Sequence, residues 1–467
     1  MKLWLKWWDV VSRLRPAFSR SRTFLWFACV LVGFTVRSDL DGITSVVRAL
    51  GFESAYYARL LALFHSPAIQ VDTLARCWTA LLLSIHPALV LIGGRIVLLA
   101  DGIKISKAGK KMPAVKCLHQ ESGSNTKPEF IMGHSCQAIS LLVGAQESFF
   151  AIPLIARIHE GLVFSNRDER TLLDKMVALV NSLAISIPYY LVGDAYYCGQ
   201  KLIRGLLKNG NHLISRVRSN AVAYFPPEPP SSQKERGRPK KYGKKIKLRS
   251  IFEDLASMVS APSVVYGEKN VQILYRSLDL LWRPVGIAIR FVFVIHPTRG
   301  RAIFLCTDLG LAPLEIIRLY SLRFKIEVSF KQAIRNLGVY AYHFWMKSMT
   351  SIRSNSGDQY LHMKTGEYRD AVRRKIAAYH AHIQIGIIAQ GLLQYLACVQ
   401  SKLIWASFGS WLRTIRPGIC PSEKVTAIAL GNCLPEFLLN SSRTSILAKF
   451  ILEKVDLTRN EGQRLVA

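Results

Sequence analysis

Arg95-Ile-Val-Leu-Leu-Ala-Asp101 is a short apolar run that ends in an acid. It is too short for a typical helix and reads as a buried strand. The pattern returns at Pro188-Tyr-Tyr-Leu-Val-Gly-Asp194. Between the two, residues 137–144 and 148–155 read as two further strands, and 168–182 carries helical periodicity. A helix over 199–207 and a strand over 212–217 follow. The order β-β-β-α-β-α-β predicts an α/β core.

Outward from this core the texture changes. Residues 1–92 read as a helical region in which Arg13, Arg15, Arg20, Arg22, Arg37 and Arg48 interleave with aromatic and aliphatic residues. A small DNA-binding unit and a helical bundle with a solvated basic face both fit. Asp39 or Asp41 is a candidate cap for a helix through 46–49, with Gly51 as its stop. The core's first part spans 93–217. A β-rich basic insertion is expected over 218–307, with runs at 263–266, 271–275, 288–294 and 302–306. It opens on the Pro/Ser stretch 226–232. Next comes residues 234–249, where nine of sixteen residues are basic and one is acidic. With few apolar residues to fold around, that stretch is expected to be a mobile arm. Helices resume at Pro313. The core's last part is placed at 308–347 and a helical C-terminal region at 348–467, with a polar loop over 349–368.

The chain has 467 residues, 62 Lys plus Arg against 31 Asp plus Glu, and a formal net charge of +31. Half of the residues are hydrophobic, which excludes a disordered chain. The charge points to a polyanionic partner, nucleic acid or an acidic membrane surface. A spanning helix needs about 20 apolar residues. Residues 24–36 and 81–94 fall short of that and are closed by arginines, so no membrane partner is expected. Nine dispersed cysteines without a Cys-x-x-Cys pair suggest a reduced, cytoplasmic chain. Cys117 and His119 would meet His134 and Cys136 if their segments paired as a hairpin. One-residue spacing is unusual for structural zinc. Gly-rich phosphate loops are absent, which argues against an NTPase.

Two strands expected to end in aspartates, Asp101 and Asp194, suggest a carboxylate site for a hard cation, Mg²⁺ or Mn²⁺. Two such ions about 3.5–4 Å apart activate an attacking oxygen and stabilise a leaving one. A third acid lies in Tyr320-Ser-Leu-Arg-Phe-Lys-Ile-Glu327-Val-Ser-Phe-Lys331. Tyr320, Arg323, Glu327 and Lys331 fall on one helical face, and Leu319, Leu322, Ile326 and Phe330 on the buried one. An exposed ion-pair ladder has the same pattern.

These residues resemble the DDE transposases of bacterial insertion sequences, in the cut-and-paste branch with a β-rich insertion before the last acid. Tyr320, Arg323 and Glu327 match the family spacing Tyr-x2-Arg-x3-Glu-x6-Lys. The family lysine falls on Ile334, with Lys331 and Arg335 nearby. Asp194-Ala-Tyr-Tyr197 fits the second-acid motif, an Asp followed closely by an aromatic. The resemblance spans about 94–345. It implies an RNase H-like mixed-sheet core, Asp101, Asp194 and Glu327 as catalytic metal ligands, and two Mg²⁺ or Mn²⁺ ions. It further implies cleavage at element ends followed by strand transfer to target DNA. The partners implied are double-stranded DNA and a second copy of the chain in a DNA complex. The location implied is the cytoplasm, at the nucleoid. A metal-dependent nuclease that does not join strands is the first alternative, and a DNA-binding protein with an inactive site the second.

Lys104, Lys107, Lys110, Lys111 and Lys116 follow Asp101 and are candidate phosphate contacts, against a solvated lysine loop. Arg236-Gly-Arg-Pro239, with Lys240 and Lys241, resembles a minor-groove hook; plain backbone contact and a nuclear-localisation signal are the alternatives. Trp282, His343 and Trp345 are candidate stackers for an unpaired base, as an insertion tryptophan is in related transposases. The apolar stretch around Trp282 fits burial as well.

Overall fold

The computed structural model describes residues 1–40, 42–120, 128–228, 240–409, 414–441 and 445–458. The apolar run at 95–100 is a strand because both of its faces are covered, which calls for a continuous rather than an alternating apolar pattern. Ile96, Leu98 and Ala100 enter one core. Val97 and Leu99 enter another, on the opposite face. Strand β1 (Arg95–Ser106) pairs antiparallel with β2 (Phe130–Ala145), which pairs antiparallel with β3 (Ser148–Ile158). On its other edge β1 pairs parallel with β4 (Tyr189–Gly193), and β4 with β5 (His212–Arg216). The order β3-β2-β1-β4-β5, with only β2 antiparallel to the rest, is the RNase H-like arrangement expected from the sequence.

Helix α6 (Leu172–Ser182) starts where Thr171 and Asp174 form a reciprocal capping box, slightly later than the periodicity suggested. Helix α7 (Gln200–Leu207) connects β4 to β5. Asp101 does not end its strand. β1 runs on to Ser106 because β2 continues to pair with it as far as Gly133. What ends near Asp101 is the parallel partner β4, whose last paired residue, Gly193, lies opposite Ala100.

The inserted region is β-rich and continues the core sheet. Strand β9 (Gly300–Cys306) pairs with β5, and β8 (Ile287–His296) and β7 (Gln272–Trp282) follow outward to β6 (Val222–Tyr224). Two expectations change here. Residues 263–266 are not a strand but lead into a turn over 265–268, and the strand before them is Val259–Pro262. The later part of the arm is held in the sheet rather than mobile: Lys245–Lys247 pairs antiparallel with Val222–Tyr224, and Leu248 is fully buried. Alternating Lys245, Ile246 and Lys247 with a buried Leu248 is enough to pin a short strand. Arg236 and Arg238 lie outside the described residues.

Lys116–His119 also pairs with β2, but Cys117 falls opposite Met132 and His119 opposite Phe130. His134 and Cys136 pair with β1 instead, so the two Cys/His pairs do not meet.

Helices α1 (Lys2–Ser12), α2 (Ser21–Val36), α3 (Gly42–Ala49), α4 (Tyr56–Phe64) and α5 (Val71–Ile85) do not stand apart as a separate unit. They share one core with α10 (Gly366–Val399), α11 (Ser401–Phe408), α12 (Glu423–Ser441) and α13 (Ile446–Leu452). Trp4 stacks on Phe437 at 5.9 Å and donates its indole N–H to the Leu430 carbonyl at 2.8 Å. Arg37 is buried, donating to the Leu337 and Gly42 carbonyls and to Ser45 Oγ. Gly51 stands at φ +63°, as a helix stop requires. Helix α10 is long and apolar enough to cross a membrane on length and composition, and most of that stretch is buried within the protein. Trp4→Ala is expected to cost about 3–5 kcal/mol of stability, read as a fall in the denaturant midpoint of the whole chain. A separate N-terminal unit would instead lose its own transition and leave the rest unchanged.

Candidate active site

The alternation of a strand decides which face each acid takes. Asp101 has the parity of Val97 and Leu99, and Asp194 that of Tyr190 and Val192. All four apolar residues belong to the core beneath helices α8 (Pro313–Ser321) and α9 (Phe324–Gln332). The same core takes Ile316, Leu319, Leu322 and Ile326 from those helices. The two aspartates therefore point to the layer that carries Glu327. They follow directly on the paired residues Ala100 and Gly193 of adjacent parallel strands. Asp194 lies at the carboxyl end of its strand, where ligand sites of open α/β sheets lie, and Asp101 sits inside the neighbouring strand beside that end.

The Glu helix is not continuous with its predecessor. The chain turns tightly at Leu322, whose amide reaches the Leu319 carbonyl, and Arg323 caps α9. That turn places Arg323 between the acids. Its guanidinium donates to Asp101 Oδ2 at 2.9 Å and to Glu327 Oε1 at 2.5 Å. Asp101 and Glu327 thus meet on one group. Asp101 Oδ1 also accepts the Gly102 amide at 2.8 Å, and Asp194 Oδ1 accepts the Tyr196 amide at 3.0 Å. Ser215 Oγ donates to the Asp194 carbonyl at 2.7 Å and fixes the loop that carries that acid.

Burial pushes the Asp101 carboxyl up to about 6; Arg323 and the Gly102 amide oppose this, and Asp194 and Glu327 add to it. Burial works against the Arg323 charge too. Asp101 and Glu327 more than offset it and hold the guanidinium above its ordinary value. Tyr197 is buried next to the two aspartates, and burial together with both charges raises its phenol. Tyr320 is half-buried against Phe304 at 4.7 Å, with its phenol raised by burial; its charged neighbours are Arg323, Arg216 and Asp194.

Among the described residues, no three His, Cys, Asp or Glu side chains are gathered tightly enough to hold a metal ion. The chemistry of the donors still fits a hard cation. Asp101 and Asp194 offer carboxylate oxygens from adjacent strands, and Arg323 carries a positive charge between Asp101 and Glu327.

The other candidates divide. Lys331 and Lys104 are exposed, and Lys104 Nζ donates to the His119 carbonyl at 2.6 Å. Lys240 and Lys241 are exposed. Ile334 is 43% exposed in the π-helical turn Ala333–Leu337, between exposed Lys331 and Arg335. Two candidates are not available to DNA as the chain stands. Lys107 is buried, because its ammonium is taken by the carbonyls of Tyr340 and Tyr342. Trp282 is buried at the end of β7 with its edge toward Phe291. Trp345 is 70% exposed.

Three residues near the acids were not singled out as site residues from sequence: Tyr197, Ser215 and Arg216. Arg216 had a visible signal. It ends a strand beside the Asp194 strand, just past the paired Gly193 and Ser215.

No curated protein matches the chain. Among solved structures it is similar to a piggyBac transposase chain, from a cryo-EM structure of the synaptic complex with hairpin DNA. The identity is 13% and the TM-score 0.37, over 94% of this chain and 76% of that one. The model of the DDE superfamily endonuclease family matches residues 13–270, more than half of the sequence and inclusive of both aspartates. The chain belongs to the DDE superfamily endonucleases.

Proposed function

We propose that this endonuclease is a DNA transposase, which cuts DNA at the ends of a mobile element and transfers the freed strand to target DNA. The observation that carries the reading is the Arg323 guanidinium joining Asp101 to Glu327, beside Asp194 on the neighbouring strand. Asp101, Asp194 and Glu327 would hold two Mg²⁺ or Mn²⁺ ions, which supply Lewis-acid stabilisation of the attacking and leaving oxygens of a phosphodiester.

The chain's own residues hold and orient. The Gly102 and Tyr196 amides fix the rotamers of the aspartates. Arg323 would have to give up Asp101 or Glu327 for these acids to act as ligands, and its freed guanidinium would be available to DNA phosphate. Lys331, one turn beyond Glu327, and Arg216, at the end of the strand beside Asp194, stand exposed for the same phosphates. In this reading the protein contributes positioning and charge stabilisation. Double-stranded DNA is the partner, and two copies of the chain would bring two element ends together.

The test is purified protein with labelled duplex carrying the element's own ends, Mg²⁺ and a target plasmid. Joined products are expected. Cleavage without joining would leave a nuclease, and binding without cleavage an inactive site. In the basic stretch, Arg236→Ala with Arg238→Ala is expected to weaken duplex binding. It should also flatten the salt dependence by about 0.9 log–log units for each phosphate no longer neutralised. A larger loss on A/T-rich than on G/C-rich ends would place these arginines in the minor groove.

A further inference from the structure

Lys107 belongs to none of the roles assigned above. It lies just past the strand that carries Asp101, and its amide continues that strand's pairing by donating to the Met132 carbonyl at 2.9 Å. Its side chain is 4% exposed and crosses to the segment that leaves the Glu327 helix. There Nζ donates to the Tyr340 carbonyl and, at 2.9 Å, to the Tyr342 carbonyl, and it sits 3.8 Å from the centre of the Tyr342 ring. Ammonium and neutral amine both have N–H groups enough for two carbonyls.

The far end of this link is itself fixed. His134 Nε2 donates to the Pro113 carbonyl at 2.9 Å, so its Nδ1 accepts from the Tyr342 hydroxyl at 2.7 Å. From Tyr340 the chain runs back through Gly338, at φ +61°, to the π-helical turn that continues α9. Gln390 holds α9 from the other side through the Ser329 carbonyl. Lys107 is thus a direct polar link between the end of the Asp101 strand and the exit of the Glu327 helix.

We infer that Lys107 is a positioning residue for the acid site: its side chain clasps the end of the Asp101 strand to the segment that follows the Glu327 helix. The inference rests on the proposed metal-binding role of the acids. A phosphate contact would have to leave both carbonyls unpaired and buried, which is costly. The clasp ties together the segments that carry two acids far apart in sequence, Asp101 and Glu327, as outer-shell partners do for metal ligands.

The test is calorimetric titration of the full chain with Mn²⁺, alongside duplex binding and melting without metal. Lys107→Met is expected to weaken Mn²⁺ binding about tenfold at unchanged duplex affinity. Lys107→Gln keeps one amide donor and should fall in between. Tyr379→Phe removes a different bond to the same segment, from the Tyr379 hydroxyl to the Phe344 carbonyl at 2.5 Å, and should leave Mn²⁺ affinity alone. Unchanged Mn²⁺ affinity in Lys107→Met, or equal loss in Tyr379→Phe, would overturn the clasp. Loss of the folded state in both Lys107 variants would assign the residue to folding alone and overturn it too. Wild-type binding lost in Asp194→Asn but kept in Lys107→Met sinks this inference only. Wild-type protein that binds Mn²⁺ no better than Asp194→Asn sinks the acid-site reading and the clasp with it.

Discussion

Asp194→Asn is expected to abolish cleavage and strand transfer, by about a thousandfold or more, while duplex binding stays within about twofold. A thousandfold loss corresponds to about 4 kcal/mol of transition-state stabilisation, within the reach of one missing metal ligand. The substitution keeps volume and an oxygen that can still accept the Tyr196 amide, so the loop keeps its shape. Most of the affinity for DNA should come from lysines and arginines elsewhere on a chain of net charge +31. Gel-shift and cleavage assays on the same preparation read the two effects apart. Normal Mg²⁺-dependent turnover by the variant would remove Asp194 from the site.

The second large effect pairs a loss with a gain. Asp101→Asn should likewise abolish chemistry, and it should stabilise the metal-free protein at pH 8. The folded-state carboxyl titrates at about 6, above its ordinary value of 3.8, because burial outweighs the help of Arg323. A raised carboxyl means that ionising it costs folding stability. The cost is absent below about pH 4 and grows as pH rises through the folded value. It is complete above it, on the order of 2–3 kcal/mol. Asn removes the cost, so the gain in melting temperature should be present at pH 8 and vanish near pH 4. A variant destabilised equally at both values would mean that the Arg323 ion pair outweighs burial. The same titration makes protons competitors of the cation, so metal affinity should fall as pH drops through about 6.

The core was legible because strands buried on both faces write themselves as unbroken apolar runs, as at 95–100 and 189–193. The order of strands and helices followed from those runs and from the periodicity of 168–182. The three acids could be proposed from sequence because Tyr320, Arg323 and Glu327 are near in sequence and each aspartate follows its run directly; the Arg323 link from Asp101 to Glu327 needed the fold. What sequence did not show was set by long-range pairing. Asp101 sits inside its strand because β2 supplies partners beyond it. Residues 1–36 have the basic and aromatic texture of a nucleic-acid face, yet Trp4 and Trp7 are buried with C-terminal helices more than 400 residues away. Lys107 looked like its neighbours Lys104, Lys110 and Lys111. Only the carbonyls of Tyr340 and Tyr342, from the far side of the insertion, distinguish it. Trp282 gave its burial away in the apolar residues before it, Leu280 and Leu281.

The central claim is that Asp101, Asp194 and Glu327 share one metal centre. Anomalous scattering from a crystal of the protein grown with Mn²⁺ and element-end duplex tests it most directly. Two peaks about 3.5–4 Å apart are expected, touching carboxylate oxygens of all three acids, with Arg323 detached from at least one of Asp101 and Glu327. Manganese bound away from Asp194, or an intact bridge from Arg323 to both acids beside a cleaved duplex, would contradict the account.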